Sequence, residues 1–531
     1  MPMNDGAMQP YSLTLDKFLE HAAKWHPHAE VVTRYEDGRV DRVGYAELYR
    51  RCRKLSVVLE GLGVRGGDRV ATLAWNTRAH MEVGYAAMGM GAVYCSLNVR
   101  LTGAHLAAMV VKAGARILVA SADLLPLARE VAAGAPCVEH IAVIDGPPDA
   151  AGARGHPEVP ALEALLARTR SEMAWGDFPE TTPCGLCFTS GTTGSPKGVM
   201  YTHRSSYLHT LRVLQADVMA ITARDSVLAV VPMFHANAWG MPVAAPAVGA
   251  KLVLAGRHID GASLAALIQG EGVTVGVGIA TVWLGLVEHM DAVGGELPTL
   301  ERIIVGGAPL PPALMERIEQ RLGVQIQTSW GMTELSPSGT VASREGGSHS
   351  AHLSGRPAVG VDLLLTDAEG RPLPQQRGVE GHLRVRGASV IERYYGEEDP
   401  ATDADGWLPT GDLARIDAEG NLIITGRAKD LIKSGGEWIN PAEIEAVVSA
   451  HPQVSLAAVI GRQHLKWGER PVLLVQVRGT EPISDEDLLA PLRGKVEPWW
   501  IPDEVIRVEN MHLSPTGKID KVRLRQEYGQ A

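Results

Sequence analysis

Apolar positions in the first part of the chain follow two alternating patterns. Leu48, Cys52, Leu55 and Leu59 recur at helical spacing, and Gly63 follows at a position suited to ending that helix. Short apolar runs typical of buried strands alternate with further helical stretches, at 69–74, 117–120, 141–144, 226–231, 251–254, 274–277, 302–305 and 324–328. Because buried strands that alternate with helices favour parallel pairing, we expect an α/β fold with parallel sheets covered by helices.

The pattern changes near residue 339. Short strands are predicted at 361–365, 382–386 and 421–425, and turn sequences occupy 367–370 and 417–420. This region predicts a small β-barrel that closes the large part of the molecule.

A further unit begins after Asp430. Asn440 is suited to cap a helix, Pro441 to occupy its first position, and Glu443 to reach back to the cap. Three more strands are predicted at 454–460, 472–477 and 505–508. These elements predict a small α+β domain at the C-terminal end.

Composition narrows the classes of partner. The 531 residues carry a formal net charge of −11 and contain no long basic run, which favours small molecules over nucleic acid or an anionic membrane. No membrane span or signal peptide is visible in the sequence, so we expect a cytoplasmic protein. Cys184 and Cys187 have the C-x-x-C spacing of redox or zinc sites, but no second Cys or His pair accompanies them. We expect both to be strand residues.

Residues 189–198 interleave glycines and hydroxyl side chains with one lysine. Glycines let backbone amides approach an anion, hydroxyls donate further hydrogen bonds, and the lysine supplies a positive charge. The spacing differs from a Walker A loop, in which Lys and Ser/Thr directly follow the last glycine. We therefore predict an ATP phosphate loop that contains Thr189, Ser190, Gly191, Thr192, Thr193, Gly194 and Lys197.

This run, extended to residue 203, resembles the phosphate-binding signature of the adenylate-forming superfamily, which comprises acyl-CoA synthetases, luciferases and the adenylation domains of peptide synthetases. Further resembling motifs follow in the expected order, at 330–334, 410–412, 426–430 and 515–518. The likeness spans nearly the whole chain. It implies a large N-terminal domain of two helix-covered, mostly parallel sheets and a barrel over 1–426 (subdomains near 1–188, 189–338 and 339–426), a hinge at 427–431, and a mobile C-terminal domain over 432–531.

The resemblance implies a reaction in two steps. A carboxylate attacks the α-phosphate of ATP and pyrophosphate leaves, and the thiol of coenzyme A then displaces AMP. Because the first step joins two anions, Mg²⁺ and preorganised cations should dominate catalysis. The resemblance assigns Mg²⁺ to Thr189 and Glu334, the reacting oxygens to Lys518, and the hinge position to Lys429.

The resemblance also implies nucleotide contacts. Trp330 is expected to offer an aromatic face to adenine, Asp412 to accept hydrogen bonds from the ribose hydroxyls, and Arg427 to donate to ribose or phosphate. The other implied nucleotide contacts are Gly307, Ala308, Thr328, Ser329, Gly331, Met332, Thr333 and Lys433.

Residues 232–240 resemble the acyl-site segment of fatty-acyl and 3-methylthiopropionyl-CoA ligases. His235 is therefore expected near the carboxylate, where amino-acid-activating relatives carry Asp, and Trp239 is expected to gate an acyl tunnel. Apolar walls are expected from 278–283 and 305–308, with Gly307 beside the acyl group and Ala280 in place of the proline common in relatives. After rotation of the small domain, the pantetheine channel of coenzyme A is expected along Gly435, Gly436 and Trp438.

These features predict an ATP-dependent, AMP-forming acyl-CoA ligase for an apolar short- or medium-chain or arylalkyl carboxylate. Transfer of the acyl group to a carrier protein or an amine is an alternative, and so is a luciferase-like oxygenase. A nucleotide-binding regulator without catalysis is disfavoured because Glu334 and Lys518 are both retained. The resemblance alone suggests a homodimer.

Overall fold

The N-terminal part is built on two sheets, as the alternating pattern predicts. The computed structural model describes residues 8–35, 38–146, 159–189, 196–344, 349–435, 437–479, 482–514 and 517–530. With strands numbered along the chain, the larger sheet pairs, from edge to edge, β15 (Arg356–Pro357), β14 (Ser338–Val341), β13 (Gln325–Gly331), β12 (Arg302–Val305), β11 (Val275–Gly278), β9 (Ser226–Ala229), β10 (Lys251–Leu254), β1 (Glu30–Arg34) and β2 (Val40–Gly44). Its central strands are parallel, and antiparallel pairs occur only toward its two edges among the described strands.

The second sheet has the same mixed character. Its strands pair in the order β6 (His140–Ile144), β5 (Ile117–Ser121), β3 (Arg69–Leu73), β4 (Val93–Ser96), β7 (Pro183–Thr189) and β8 (Lys197–Thr202). The two sheets interleave along the sequence. Strand β1, near the start of the chain, belongs to the larger sheet through its parallel pairing with β10. Strand β8, which follows residue 188, belongs to the second sheet through its pairing with β7. Residue 188 is therefore not the boundary between the sheets, contrary to the subdomain division expected from the sequence.

Helices separate these strands. They are α1 (Asp16–Trp25), α2 (Tyr45–Gly61), α3 (Arg78–Gly89), α4 (Gly103–Ala113), α5 (Leu125–Gly134), α6 (Leu162–Arg168), α7 (His203–Val213), the single turn α8 (Ala236–Trp239), α9 (Met241–Val248), α10 (Gly261–Glu271), α11 (Ala280–Val293) and α12 (Pro312–Leu322). Leu48, Cys52, Leu55 and Leu59 are the buried face of α2, which confirms the predicted helix. Cys184 and Cys187 are buried residues of β7, as expected.

The region that predicts a barrel forms an antiparallel sheet. Its strands pair in the order β16 (Val361–Thr366), β17 (Glu380–Gly387), β18 (Leu408–Ile416) and β19 (Leu422–Arg427). The edge strands β16 and β19 do not pair with each other in the described residues, so the hydrogen-bonded sheet is open rather than a closed barrel. Strand β19 ends at Arg427, and a 3-10 turn over Ala428–Asp430 leads to the C-terminal domain.

The C-terminal domain has its own sheet and core. Strands β21 (Glu437–Ile439), β20 (Ile432–Ser434), β23 (Gly468–Val477) and β22 (Val454–His464) pair in that order, and β24 (Glu504–Arg507) pairs with β23. Its helices are α13 (Pro441–Ser449), α14 (Asp485–Leu489) and α15 (Lys521–Tyr528). The Asn440 side chain caps α13 by accepting from the Ala442 amide at 3.2 Å, and its amide donates to Glu443 at 3.4 Å, as predicted. No helix in the described part of the chain is long and apolar enough to cross a membrane.

Candidate active site

A hairpin presents the predicted phosphate loop. Thr189, the last residue of β7, pairs with Lys197, the first residue of β8. The predicted loop residues Ser190, Gly191, Thr192, Thr193 and Gly194 lie outside the described residues. The Lys197 ammonium lies 4.7 Å from the centroid of the Tyr394 ring, so a cation stands at the base of this loop.

A pocket of about 200 Å³ lies between the sheets and the C-terminal domain. The predicted residues that line it are Gly307, Ser329, Trp330, Gly331, Met332, Thr333, His235, Trp239 and Lys518. The same pocket therefore collects residues expected to contact the nucleotide, the acyl group and the reacting oxygens. Ile279 and Val282 add apolar walls from the start of α11, as expected.

Asp412 contacts Trp330, which lines the part of the pocket that is expected to face the nucleotide. Its carboxylate accepts from the Trp330 indole N–H at 2.9 Å and from Arg427 Nε at 2.7 Å. Burial raises the pKa of Asp412, and the Arg427 charge opposes this shift. A carboxylate offers about four acceptor positions, so Asp412 can still accept from ribose hydroxyls. The contact also fixes the indole of Trp330 at the pocket wall.

Glu334 lies in a 3-10 turn, Thr333–Leu335, and is buried. Its carboxylate accepts a hydrogen bond of 2.8 Å from the Tyr394 hydroxyl. Burial and the Glu334 charge raise the pKa of Tyr394, which keeps this hydroxyl a donor at neutral pH. Sequence reasoning did not find Tyr394, because it lies 60 residues from its partner.

Lys518 reaches the pocket from a tight loop. The Ser514 amide donates to the Lys518 carbonyl at 2.6 Å, and the Gly517 amide donates to the Ser514 carbonyl at 2.8 Å. Gly517 has a φ of +78°, a backbone conformation that glycine adopts without strain. A Cβ atom on Gly307 would lie 3.9 Å from Lys518 Cε, which places the lysine stem beside the expected acyl position. Desolvation, and next the Arg427 charge, lower the pKa of Lys518.

His235 lines the same pocket. Its Nε2 atom is buried and has no hydrogen-bond partner in the described part of the chain. Burial, assisted by the Arg100 and Lys518 charges, lowers the pKa of His235 to about 4. The imidazole is therefore neutral at pH 7, and its unpartnered nitrogen is available to a ligand. Arg100, which also lines the pocket, was not predicted from the sequence.

Trp239 ends a turn of left-handed backbone. The φ angles of Ala236, Asn237, Ala238 and Trp239 are 42°, 53°, 51° and 53°, and Gly240 follows at 80°. Left-handed conformation costs roughly 1–2 kcal/mol per L-residue, so the surrounding packing must hold this turn. A Cβ atom on Gly307 would lie 3.7 Å from Trp239 Cζ2, which places the indole over the glycines after β12.

Family models match both parts of the chain. The AMP-binding enzyme model matches residues 19–395, and the AMP-binding enzyme C-terminal domain model matches residues 443–518. The chain belongs to the AMP-binding enzyme family. A 3-methylmercaptopropionyl-CoA ligase of Ruegeria lacuscaerulensis is 39% identical over 99% of both chains. A medium-chain-fatty-acid–CoA ligase of Ectopseudomonas oleovorans is 40% identical over 99% of this chain and 97% of that protein.

Solved structures agree with this assignment. ATP-bound MatB from Rhodopseudomonas palustris has a TM-score of 0.85 at 26% identity and covers 98% of this chain and 99% of its own. The anthranilate CoA ligase AuaEII in complex with anthranoyl-AMP has a TM-score of 0.87 at 22% identity, with 98% of each chain covered. The second likeness shows the fold alone.

This AMP-binding enzyme keeps its predicted coenzyme A residues outside the pocket. Gly435 lies in the hairpin β20–β21, and its amide donates to the Trp467 carbonyl at 2.7 Å. Trp438 on the same hairpin is 53% exposed, and the Lys433 ammonium lies 5.3 Å from its ring centroid. Gly436 lies outside the described residues. The arrangement therefore brings Lys518, but not this hairpin, to the pocket.

Other predicted residues of this AMP-binding enzyme lie away from the pocket lining. The Thr328 hydroxyl donates to the Leu353 carbonyl, and Ala308 is exposed. Trp283 is fully buried, since its ring packs against the backbone of Gly276 and Gly278. It is a core residue rather than an acyl-site wall. Ala280 takes the first position of α11, where proline is also favoured, so the absence of proline leaves the helix start unchanged.

Proposed function

We propose that this AMP-binding enzyme joins an apolar short- or medium-chain carboxylate to coenzyme A with cleavage of ATP to AMP and pyrophosphate. The observation that carries the proposal is that Lys518, Trp330 and His235 line one pocket. Relatives at 39% and 40% identity act, by their names, on 3-methylmercaptopropionate and on medium-chain fatty acids. Both acids combine a carboxylate with an uncharged tail.

In the first half-reaction, the carboxylate and the α-phosphate must approach despite their like charges. Lys518 lines the pocket, and we assign to its ammonium the contact with oxygens of both groups that stabilises the charge they share in the transition state. His235 contributes no positive charge at neutral pH, because its pKa is lowered to about 4. In its Nε2–H tautomer it donates to the carboxylate and holds it against the pocket wall.

Mg²⁺ fits the acidic end of the site. Glu334 would hold it together with Thr189, since the Tyr394 hydrogen bond occupies only one of the carboxylate's acceptor positions. When bound with ATP, Mg²⁺ neutralises phosphate charge. No cluster of three His, Cys, Asp or Glu in the described residues would suit a metal held by protein alone. One carboxylate suits Mg²⁺, which takes its other ligands from phosphates and water.

For the second half-reaction, we propose that the C-terminal domain rotates. The Lys518 loop then leaves the pocket, and the β20–β21 hairpin with Gly435 and Trp438 takes its place along the path of the thiol. The exposure of Trp438 supports this proposal, because a large exposed aromatic ring is suited to contact a ligand.

The test is mass spectrometry of products formed from ATP, Mg²⁺ and a panel of carboxylates from C2 to C16. The panel adds 3-methylthiopropionate, phenylpropionate and benzoate, and each acid is tested with and without coenzyme A. We expect acyl-CoA and AMP with coenzyme A, and acyl-adenylate without it. Acyl-adenylate that never becomes a thioester would show that the acceptor is not coenzyme A.

A further inference from the structure

One side chain contacts two opposite charges of the proposed ATP site. The Tyr394 ring lies 4.7 Å from the Lys197 ammonium, and the Tyr394 hydroxyl donates to the Glu334 carboxylate at 2.8 Å. Lys197 is the first residue of β8, at the base of the predicted phosphate loop, and Glu334 is the acid that we assign to Mg²⁺. A cation suited to phosphate and an anion suited to a metal therefore adjoin the same tyrosine.

The backbone on each side of Tyr394 is fastened to the same two places. The Ile391 amide donates to the Glu334 carbonyl at 3.0 Å, and the Tyr395 amide donates to the Gly198 carbonyl at 2.8 Å. Gly198 directly follows Lys197 in β8. These two hydrogen bonds keep the Tyr394 ring beside both charges.

The two charges are not paired with each other. Among the described residues, neither the Lys197 ammonium nor the Glu334 carboxylate has an ion-pair partner within 4.0 Å. An aromatic face attracts a cation without neutralising it, and a phenol hydroxyl occupies only one acceptor position of a carboxylate. A direct Lys197–Glu334 ion pair would instead compete with the ligands of both groups.

We infer that Tyr394 is a positioning residue that holds Lys197 and Glu334 apart, so that Lys197 stays available to the phosphates of ATP and Glu334 to Mg²⁺. This inference rests on the ATP site of the proposed function and adds a residue to it. Without the ring, the flexible Lys197 side chain can swing to Glu334 and form an ion pair. ATP must then break this pair before Lys197 can bind phosphate, so the apparent affinity for ATP falls.

Substitutions at Tyr394 separate the ring from its hydroxyl. Tyr394→Phe keeps the ring beside Lys197 and removes the hydrogen bond to Glu334. Tyr394→Ala removes both, and it should fold because Tyr394 is only partly buried. If it does not fold, Tyr394→Leu replaces it, since leucine keeps apolar packing but ends short of Glu334. The matched control is Tyr395→Phe, which removes a hydroxyl that contacts the Ala113 carbonyl at 3.5 Å and leaves the backbone contact to Gly198 unchanged.

The first readout is ATP binding by isothermal titration calorimetry, in EDTA and in Mg²⁺, and the second is the Mg²⁺ concentration for half-maximal pyrophosphate release. Tyr394→Phe should leave ATP binding in EDTA unchanged and raise the Mg²⁺ requirement about tenfold, as expected for a group that orients a metal ligand. Tyr394→Ala should also weaken ATP binding in EDTA about fivefold, the effect of an exposed ion pair at the strong end of its range. Tyr395→Phe should change neither quantity.

Glu334→Gln distinguishes capture of Lys197 from a loss of packing. Glutamine carries no charge, so Tyr394→Ala should no longer weaken ATP binding in EDTA when it is combined with Glu334→Gln. A purely structural role of Tyr394 would weaken binding by the same factor with either residue at position 334. Equal weakening in the two backgrounds, or no weakening by Tyr394→Ala in either, would overturn the inference.

The outcomes separate the two proposals, because ATP binding is measured without carboxylate or coenzyme A. If the unmodified chain binds ATP but makes no acyl-CoA from any acid, the proposed function is wrong, and the comparison of the two backgrounds still decides the role of Tyr394. If the unmodified chain binds no ATP, both the proposed function and the inference are wrong.

Discussion

Two loops of the C-terminal domain differ in where they lie. Lys518, at the end of one loop, lines the proposed active-site pocket, whereas the hairpin β20–β21 stands outside it with Trp438 53% exposed. Both belong to one domain, in which α15 pairs with α13 through Lys521–Glu445 at 2.7 Å and with the turn before β20 through Arg525–Asp430 at 2.8 Å. In the proposed rotation, this domain presents Lys518 to the pocket for the first half-reaction and the hairpin for the second.

Two ion pairs, one on each side of residues 428 and 429, locate the pivot of the proposed rotation. Arg427 is paired with Asp412 of β18, so it belongs to the N-terminal domain. Asp430 is paired with Arg525 of α15, so it belongs to the C-terminal domain. We therefore propose Ala428 and Lys429 as the residues whose backbone angles change.

The largest expected effect concerns the loop inside the pocket. Lys518→Ala should reduce adenylation by about 10²–10³-fold, the typical cost of losing one stabilising donor in the transition state. Thioester formation from supplied acyl-adenylate should continue, because Lys518 then lies away from the pocket. The measurement is each half-reaction separately, by pyrophosphate release and by thioester yield. Lys495→Ala, which removes an exposed lysine of the same domain, is the control. Equal losses in both half-reactions would contradict the division of roles between the two loops.

The second effect concerns the pivot. Lys429→Pro fixes φ at one hinge residue and should favour the arrangement described here. Adenylation should persist, while thioester formation should fall by roughly 10²-fold, as expected when reacting groups cannot reach their geometry. Lys429→Ala removes the same charge but keeps the backbone free. If both variants lose thioester formation equally, the charge of Lys429 matters and the rotation at this residue is not supported.

The strands were predictable from the sequence, but several pocket contacts were not. The runs at 251–254 and 302–305 became β10 and β12 because central parallel strands bury both faces and read as continuous apolar runs. The Trp330–Asp412 hydrogen bond joins residues 82 positions apart, and no local pattern reports such a contact. The sequence motifs nevertheless identified both of its partners.

Two features of the proposed acyl site differ from the sequence expectation for local reasons: the position of Trp283 and the left-handed turn at 236–239. Trp283 was assigned to an acyl wall because its neighbours are apolar, yet a core position has the same neighbours. The two glycines spaced by one residue in β11 were the available signal, since they leave room for its ring. The left-handed turn was hidden because Ala236 and Ala238 are not residues that favour positive φ.

A third prediction uses a residue that should serve both half-reactions. Arg427→Ala removes the ion pair of Asp412. It also removes the charge that opposes the raised pKa of the Asp412 carboxyl, so this pKa should rise further. Nucleotide binding should therefore weaken more at acid pH. The Arg427 side chain is 46% exposed, so solvent screening limits the effect to about three- to tenfold in KM for ATP. Because AMP stays bound through both steps, both half-reactions should weaken alike. An effect on adenylation alone would place Arg427 with Lys518 rather than with the fixed domain.

The smallest effect is a pH dependence that only one of the two loops should show. Desolvation and the Arg427 charge lower the pKa of Lys518 from 10.5, so the ammonium loses its proton at a lower pH than a free lysine does. The adenylation rate should therefore decline with rising pH at values below 10.5, whereas thioester formation from acyl-adenylate should not share this decline. Lys518→Arg keeps its charge at alkaline pH and should remove the decline. Arg427→Ala removes a neighbouring positive charge and should move the decline to higher pH. An equal decline in both half-reactions would show that the titrating group is on the nucleotide or the thiol rather than on Lys518. The Lys518 loop would then differ from the outer hairpin in position but not in chemistry.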